Sequence, residues 1–226
     1  MRRANEFLNR KWWFTFLSVY GVFVLLPFFA PVFMHWNVDG LGRAIYFFYS
    51  FLCHQLPERS LFLFGAKWMY SIDEIRAVWQ NTGNPLILRQ FIGTSEMGWK
   101  VAWSDRMISL YGGIWLAGLI WGILPKRVRK ASIWIFILLA LPMVLDGMTH
   151  LLSDFSGLAD GFRYTNEWLV TLTNHVFAAS FYRGDDLGSF NSWMRWVTGL
   201  LFGFGLVWWA FPYLDEYFGY HQIAAD

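Results

Sequence analysis

Cys53 is the only cysteine in a chain of 226 residues. That excludes an intramolecular disulfide framework, and with it a metal site built from the thiolates of one chain alone. Charge is scarce as well. Asp, Glu, Lys and Arg make up 15% of the residues, against about 25% in ordinary globular domains, which is too little to cover a soluble surface. The sequence has no Gly-rich phosphate loop, no zinc-finger spacing and no haem, nucleotide or flavin motif. No basic run is interleaved with aromatics, so nucleic acid is not an expected partner. Nor is there an internal repeat of the sort that marks many secondary transporters.

What the chain has instead is apolar surface, 56% hydrophobic and 21% aromatic, with a mean hydropathy of +0.35. Spans of about 20 apolar residues account for such a composition. The first is Trp12 to Phe33, after a basic start of Arg2, Arg3, Arg10 and Lys11 against Glu6. A cleaved signal peptide would have a shorter apolar region ending in small residues, whereas this run ends in "PFFAPVFMHW". The second is Met107 to Leu124, closed by Pro125 and "KRVRK"; the third is Ala131 to about Leu152; the fourth is Trp193 to Tyr213. The positive charges in the turn between spans two and three place it in the cytoplasm together with the N-terminus. The sequence therefore predicts an all-α, polytopic helical bundle in the cell (plasma) membrane, a single membrane domain over residues 1–226. Residues 34–106 and 151–192 then lie outside the cell.

Two weaker segments add one or two re-entrant, interfacial or additional helices. Leu41 to Cys53 is apolar but too short to cross. Thr165 to Tyr182 carries Asn166, Glu167, Asn174 and His175, and makes a poor lipid-facing span. If it does cross, the C-terminus changes sides. Residues 66–100, between spans one and two, read as an extramembrane cap with one amphipathic helix near Ile72–Trp79. The glycines of span four, Gly199, Gly203 and Gly205, suit close helix packing.

Polar residues from separate stretches converge at one depth. "CHQLPERS" supplies Cys53, His54, Gln55, Glu58 and Arg59, and Ser104, Asp105 and Arg106 stand at the mouth of span two. Asp146, His150 and Asp154 follow an i, i+4, i+8 spacing on one face of span three, and Asn191 and Arg195 open span four. An ionisable residue as deep as Asp146 faces the bundle and finds a partner there, with Arg106 or Arg195 as candidates. Two chemistries suit the set. Cys53, His54, Asp146 and His150 have the ligand types of zinc or another divalent transition metal, with Ser104, Ser109 or Asp105 beside a bound water for metal-assisted hydrolysis. Alternatively, the charges pair only with one another and lock the helices together. At the level of function, a membrane protein with a metal- or small-ligand-binding site competes with an accessory subunit of a larger membrane complex. Fifteen tryptophans and 23 phenylalanines offer surface for other subunits, although the lipid bilayer as partner explains the same composition.

Four motifs in order, "CHQLPERSLFLFG", "RMISLYGG", "PMVLDGMTH" and "NSWMRWVTG", resemble the prokaryotic membrane-protein family called domain of unknown function 2085. The resemblance covers about Phe47 to Gly203, apart from residues 66–100. Cys53, His54, Gln55, Pro57, Glu58, Arg59 and Ser60 match the first motif, Asp146 and Gly147 the third, and Asn191, Arg195, Thr198 and Gly199 the last. The family usually has a Cys-Ala-Arg-Cys-like second motif, suggestive of a soft-metal or redox-capable site. Here Arg106 and Tyr111 remain, but Ser104 and Met107 stand where the family has cysteines, and His150 stands where glutamine is common. The resemblance implies an architecture and a site location without a reaction, and any metal here would need more nitrogen and oxygen ligands.

Overall fold

Apolar runs become helices wherever the backbone can satisfy its own polar groups. In the computed structural model, which describes residues 11–123 and 130–223, four helical stretches are long and apolar enough to cross a membrane. They are Trp12–His35, Asp105–Ile123, Ile133–Asp154 and Phe190–Phe218. Arg2, Arg3, Glu6 and Arg10, and Lys126, Arg127 and Arg129 of the basic turn, lie outside the described residues.

The first stretch comprises α1 (Lys11–Leu25), a 3-10 turn (Leu26–Phe28) and α2 (Phe29–His35). Pro27 has no N–H to offer the carbonyl four residues back. That carbonyl, Phe23 O, instead accepts from the Tyr49 hydroxyl at 2.8 Å. Tyr49 ends α3 (Asp39–Tyr49), an 11-residue helix with Ile45, Tyr46 and Tyr49 buried and Leu41, Phe47 and Phe48 exposed. This is the short apolar segment expected between spans.

The departure from an all-α fold comes next. β1 (Ser60–Leu63), α4 (Ile72–Val78), α5 (Pro85–Leu88), β2 (Gly93–Thr94) and β3 (Gly98–Ser104) build a small antiparallel sheet in the order β1-β3-β2. In β3, Val101, Ala102 and Trp103 are fully buried. α4 starts at a reciprocal cap: Ser71 Oγ accepts from Glu74 N, and Ser71 N donates to Glu74 Oε2. Residues 66–100 do not stand alone. Tyr70, Ile72, Ile75, Leu88, Phe91 and Met97 share one apolar core with Leu56 and Phe62 on one side and Leu158 and Tyr164 on the other.

Then follow α6 (Asp105–Ile123), α7 (Ile133–Asp154), three short helices α8 (Phe162–Thr165), α9 (Glu167–Leu172) and α10 (Ala179–Tyr182), and the long α11 (Phe190–Ile223). Thr165 to Tyr182 is therefore broken into short turns and forms no span. Asn166, Asn174 and His175 all take positive φ there, which interrupts a helix.

α6 and α11 both start at the sheet and run away from it side by side, while α1 and α7 run back toward it. At Gly199 a Cβ would lie 2.0 Å from Ser109 Oγ, and at Gly203 2.7 Å from Ile114 N, so the α6–α11 contact requires both glycines. α1 is tied to α6 by indoles: Trp13 Nε1 donates to Gly118 O at 2.7 Å and Trp115 Nε1 to Leu17 O at 3.0 Å. α7 packs on α11 and leaves Leu138, Leu141, Val144, Leu145, Met148, Leu151 and Leu152 exposed. An exposed apolar face of that length suits contact with lipid.

Candidate functional site

The sheet end of the bundle gathers charge because the first residues of α6 and α11, the last turns of α7 and the loops between them meet there. Asp105, the first residue of α6, accepts from Arg195 Nε on both carboxylate oxygens at 2.8 Å. Arg195 also gives Nη1 to Asp185 Oδ1 at 2.5 Å and Nη2 to Asp185 O at 2.7 Å. Asp185 Oδ2 takes Arg59 Nε at 3.0 Å, and Arg59 closes a two-pronged pair on Asp154 at 2.8 Å for each bond. Burial opposes ionisation of Asp185, but Arg59 and Arg195 beside it hold its carboxyl well below the usual carboxylate range.

A second chain runs beside the first. Asp146 accepts from Arg106 Nη2 at 2.7 Å and from Arg163 Nη2 at 2.6 Å. Arg163 Nη2 also lies 3.2 Å from His150 Nε2. Arginine only donates, so Nε2 is the acceptor and the ring proton sits on Nδ1. Four arginines and four aspartates thus balance over the whole network. They do not balance locally. The first chain has Arg59 and Arg195 for Asp105, Asp154 and Asp185, while the second has Arg106 and Arg163 for Asp146 alone. The unmatched positive charge comes with unmatched donors: Arg106 Nε, Arg163 Nε and His150 Nδ1 are buried without a hydrogen-bond partner.

Arg163 is held there from its backbone. Its carbonyl accepts from Asn166 Nδ2 and from Asn191 Nδ2, both at 2.7 Å, and its N–H donates to Ser153 Oγ at 2.9 Å. The approach to Ser153 depends on Gly161, where a Cβ would lie 2.1 Å from Ser153 Oγ and 2.3 Å from Ser153 O. The guanidinium, 7% exposed as a residue, forms part of the wall of a cavity of about 670 Å³, lined also by Thr149, Asp160, Phe162, Thr165, Glu167 and Trp168. Its remaining donor, Nη1, reaches only Thr149 Oγ1, at 3.4 Å, near the limit of hydrogen bonding.

The expected metal ligands are not gathered. Asp146 spends both oxygens on arginines, His150 accepts from one, and His54 is exposed while Cys53 is buried. Cys53 Sγ lies 3.3 Å from Gln55 N and 3.4 Å from Ser104 N, both donating to it, and 3.5 Å from Ser104 Oγ. Among the described residues no group of three or more His, Cys, Asp or Glu side chains stands close enough to hold a metal ion. Ser109 Oγ lies 2.9 Å from both Arg106 O and Arg195 O, inside the α6–α11 contact.

Gln55 is a staple: its Nε2 donates to Tyr46 O at 3.0 Å and Ala102 O at 3.2 Å, joining α3 to β3. Beside it Lys100 is fully buried and gives Nζ to Gln55 O and Arg89 O, each at 2.7 Å. Burial pushes Lys100 down to about 7 and pushes Glu58, whose two carboxylate oxygens have no hydrogen-bond partner, up to about 6. Asp105, Arg106, Asp146, His150, Asp154, Asn191 and Arg195 are brought together with Arg59 as the sequence suggests. Sequence reasoning missed Arg163, Asn166, Asp185 and Lys100. The available signal was the charge of the 151–192 stretch, two of whose acidic residues, Asp154 and Asp185, turn out to serve arginines.

The model of the family described as "Predicted membrane protein (DUF2085)" matches residues 91–209. The chain belongs to this family. The matched residues take in "RMISLYGG", "PMVLDGMTH" and "NSWMRWVTG", together with Arg163 and Asp185; "CHQLPERSLFLFG" precedes them. An uncharacterized protein of Methanocaldococcus jannaschii is 23% identical over 214 residues, covering 92% of this chain and 95% of the relative. No solved structure matches the chain. Family membership and the four apolar helices make this a membrane protein.

Proposed function

We propose that this family member binds a small polar ligand at the sheet end of its bundle, in the cavity beside Arg163. One observation carries the reading: Arg163, which holds an unmatched positive charge and whose Nη1 reaches only Thr149 Oγ1 at 3.4 Å, lines a cavity. A ligand oxygen would give Arg163 Nη1 a charge-assisted bond in place of its long contact with Thr149 Oγ1. The cavity volume, about 670 Å³, falls within the roughly 300–1,000 Å³ of small-ligand sites. Asp146 and Ser153 of α7, Asn166 and Asn191 of α11 act as the frame that holds Arg163 in place. Lys130 near the opposite end, preceded in the sequence by "KRVR", favours a cytoplasmic location for that end and a non-cytoplasmic one for the cavity.

Native mass spectrometry of the full chain, extracted in mild detergent with no ligand added, tests this. The wild type is expected to retain a bound species of defined mass that is depleted in Thr149→Leu, a substitution that fills the cavity wall and leaves every ion pair in place. Identical spectra for the two proteins would refute the reading.

A further inference from the structure

The cavity beside Arg163 has a second chemical character that phosphate or another simple anion does not explain. Asp160 and Glu167 line the same space, are exposed, and make no ion pair with any described residue. A site for a plain anion would not set two free carboxylates on its wall. Its walls also include Phe162 at 49% and Trp168 at 46% exposure, and tryptophan is enriched at the level of lipid head groups.

An apolar stripe runs along the face of α7 that carries Thr149. Thr149 is the cavity's contribution from α7, and Leu145 and Leu152, four residues before and three after, share that helix face. Both are more than half exposed, at 56% and 55%, and the stripe continues through Leu141 and Leu138.

Resting on the ligand-site reading above, we propose that the occupant is the head group of an aminophospholipid. Its phosphate lies against Arg163, its primary ammonium meets Asp160 and Glu167, and its acyl chains follow the Leu138–Leu141–Leu145 stripe of α7. Charge complementarity selects the occupant. The phosphate supplies a closer acceptor for Arg163 Nη1, whose one partner is Thr149 Oγ1 at 3.4 Å, and charge-assisted bonds of that type are the strong ones. The two carboxylates favour a head group with N–H donors, which a primary ammonium has and a quaternary ammonium lacks. The aromatic rims set the depth, and the exposed leucines give the chains somewhere to lie.

The test uses the full chain in mild detergent and follows its thermal unfolding midpoint during titration with short-chain phosphatidylethanolamine, phosphatidylcholine and phosphatidylglycerol. Glycerophosphoethanolamine and inorganic phosphate are the soluble probes. Phosphatidylethanolamine should raise the midpoint with an apparent affinity about tenfold above that of the other two lipids, the discrimination expected of one or two charge-assisted hydrogen bonds. Asp160→Asn combined with Glu167→Gln, both at exposed positions, should abolish that preference without lowering the midpoint of the ligand-free protein. If glycerophosphoethanolamine or phosphate stabilises as well as the lipid does, the ligand site stands and the lipid assignment falls. Equal response to all three lipids, or a preference that survives the double substitution, also overturns the assignment. No response to any probe, together with wild-type spectra identical to those of Thr149→Leu, removes both readings.

Discussion

At the sheet end of the bundle, Arg195 donates to two buried aspartates and a backbone carbonyl. At the opposite end the same two helices, α6 and α11, meet through Trp121 Nε1 on Asp215 Oδ2 at 2.9 Å and through Trp121, Val207 and Phe211 in an apolar cluster. The exposed Lys130–Glu216 pair completes that end. One interface therefore passes from ion pairs to aromatic packing along its length. Apolar packing is tolerant and additive. A buried ion network is neither, because removal of one member leaves another charged and unpartnered. The costlier chemistry at the sheet end fixes positions there, and of the two arginines it leaves with an unpartnered Nε, Arg106 and Arg163, Arg163 is the one that lines the cavity.

The largest expected effect that would sharpen this contrast comes from Asp185→Ala. It strips Arg59 and Arg195 of a shared carboxylate and should cost about 3–5 kcal/mol, the range for breaking a buried pair. Thermal or denaturant unfolding in a fixed detergent checks it; a loss below about 1 kcal/mol would mean that the network is not a unit.

Glu58→Gln should act in the opposite sense. Native Glu58 is pushed up to about 6 from 4.5, so the native state holds its proton where the unfolded chain has lost it. Stability then falls as pH rises from 4.5 to 6. Gln removes that penalty, and the variant should be more stable by about 2 kcal/mol above pH 6 and equal to wild type below pH 4.5. Lys100, pushed down from 10.5 to about 7, binds its proton more weakly in the native state, so its contribution to stability grows as pH rises from 7 to 10.5. Unfolding midpoints of the wild type should accordingly pass through a minimum between about pH 6 and pH 7. A variant with a pH-independent difference from wild type would contradict the assignment to Glu58.

The smallest effect is expected at the far end. Trp121→Phe deletes one indole hydrogen bond from a packed cluster and should cost about 1 kcal/mol. If it matched Asp185→Ala, the contrast between the two ends would disappear.

The two regions were also unequally legible. Apolar runs located the four long helices, because a span is a matter of length and hydropathy, although α11 runs on to Ile223, well past the expected end at Tyr213. The i, i+4, i+8 pattern of Asp146, His150 and Asp154 likewise placed those residues on a common face, and Gly199 and Gly203 announced close packing. The sheet was hidden. Its strands are short, β2 has two residues, and the charge of Lys100 in the middle of β3 disguises a buried strand. Arg163 and Asp185 were hidden for a different reason. Arg163 lies in the four-residue α8 and Asp185 in the loop before α11, in a stretch whose course is set by turns at Asn166, Asn174, His175, Gly184 and Gly188, all at positive φ, and no periodicity relates such a stretch to the helix it crosses. Cys53 and His54 show the converse limit: adjacency in "CHQLPERS" suggested a shared ligand, yet one side chain is buried and the other exposed.

The most direct measurement is a high-resolution cryo-EM or crystal structure of the full chain in a native-lipid bilayer disc, examined at Arg163. The account predicts a bound group in the cavity with an oxygen within hydrogen-bonding distance of Arg163 Nη1, while Arg163 Nη2 stays on Asp146. A cavity holding only water, with the Arg163 donors satisfied entirely by the protein's own carboxylates, would contradict it.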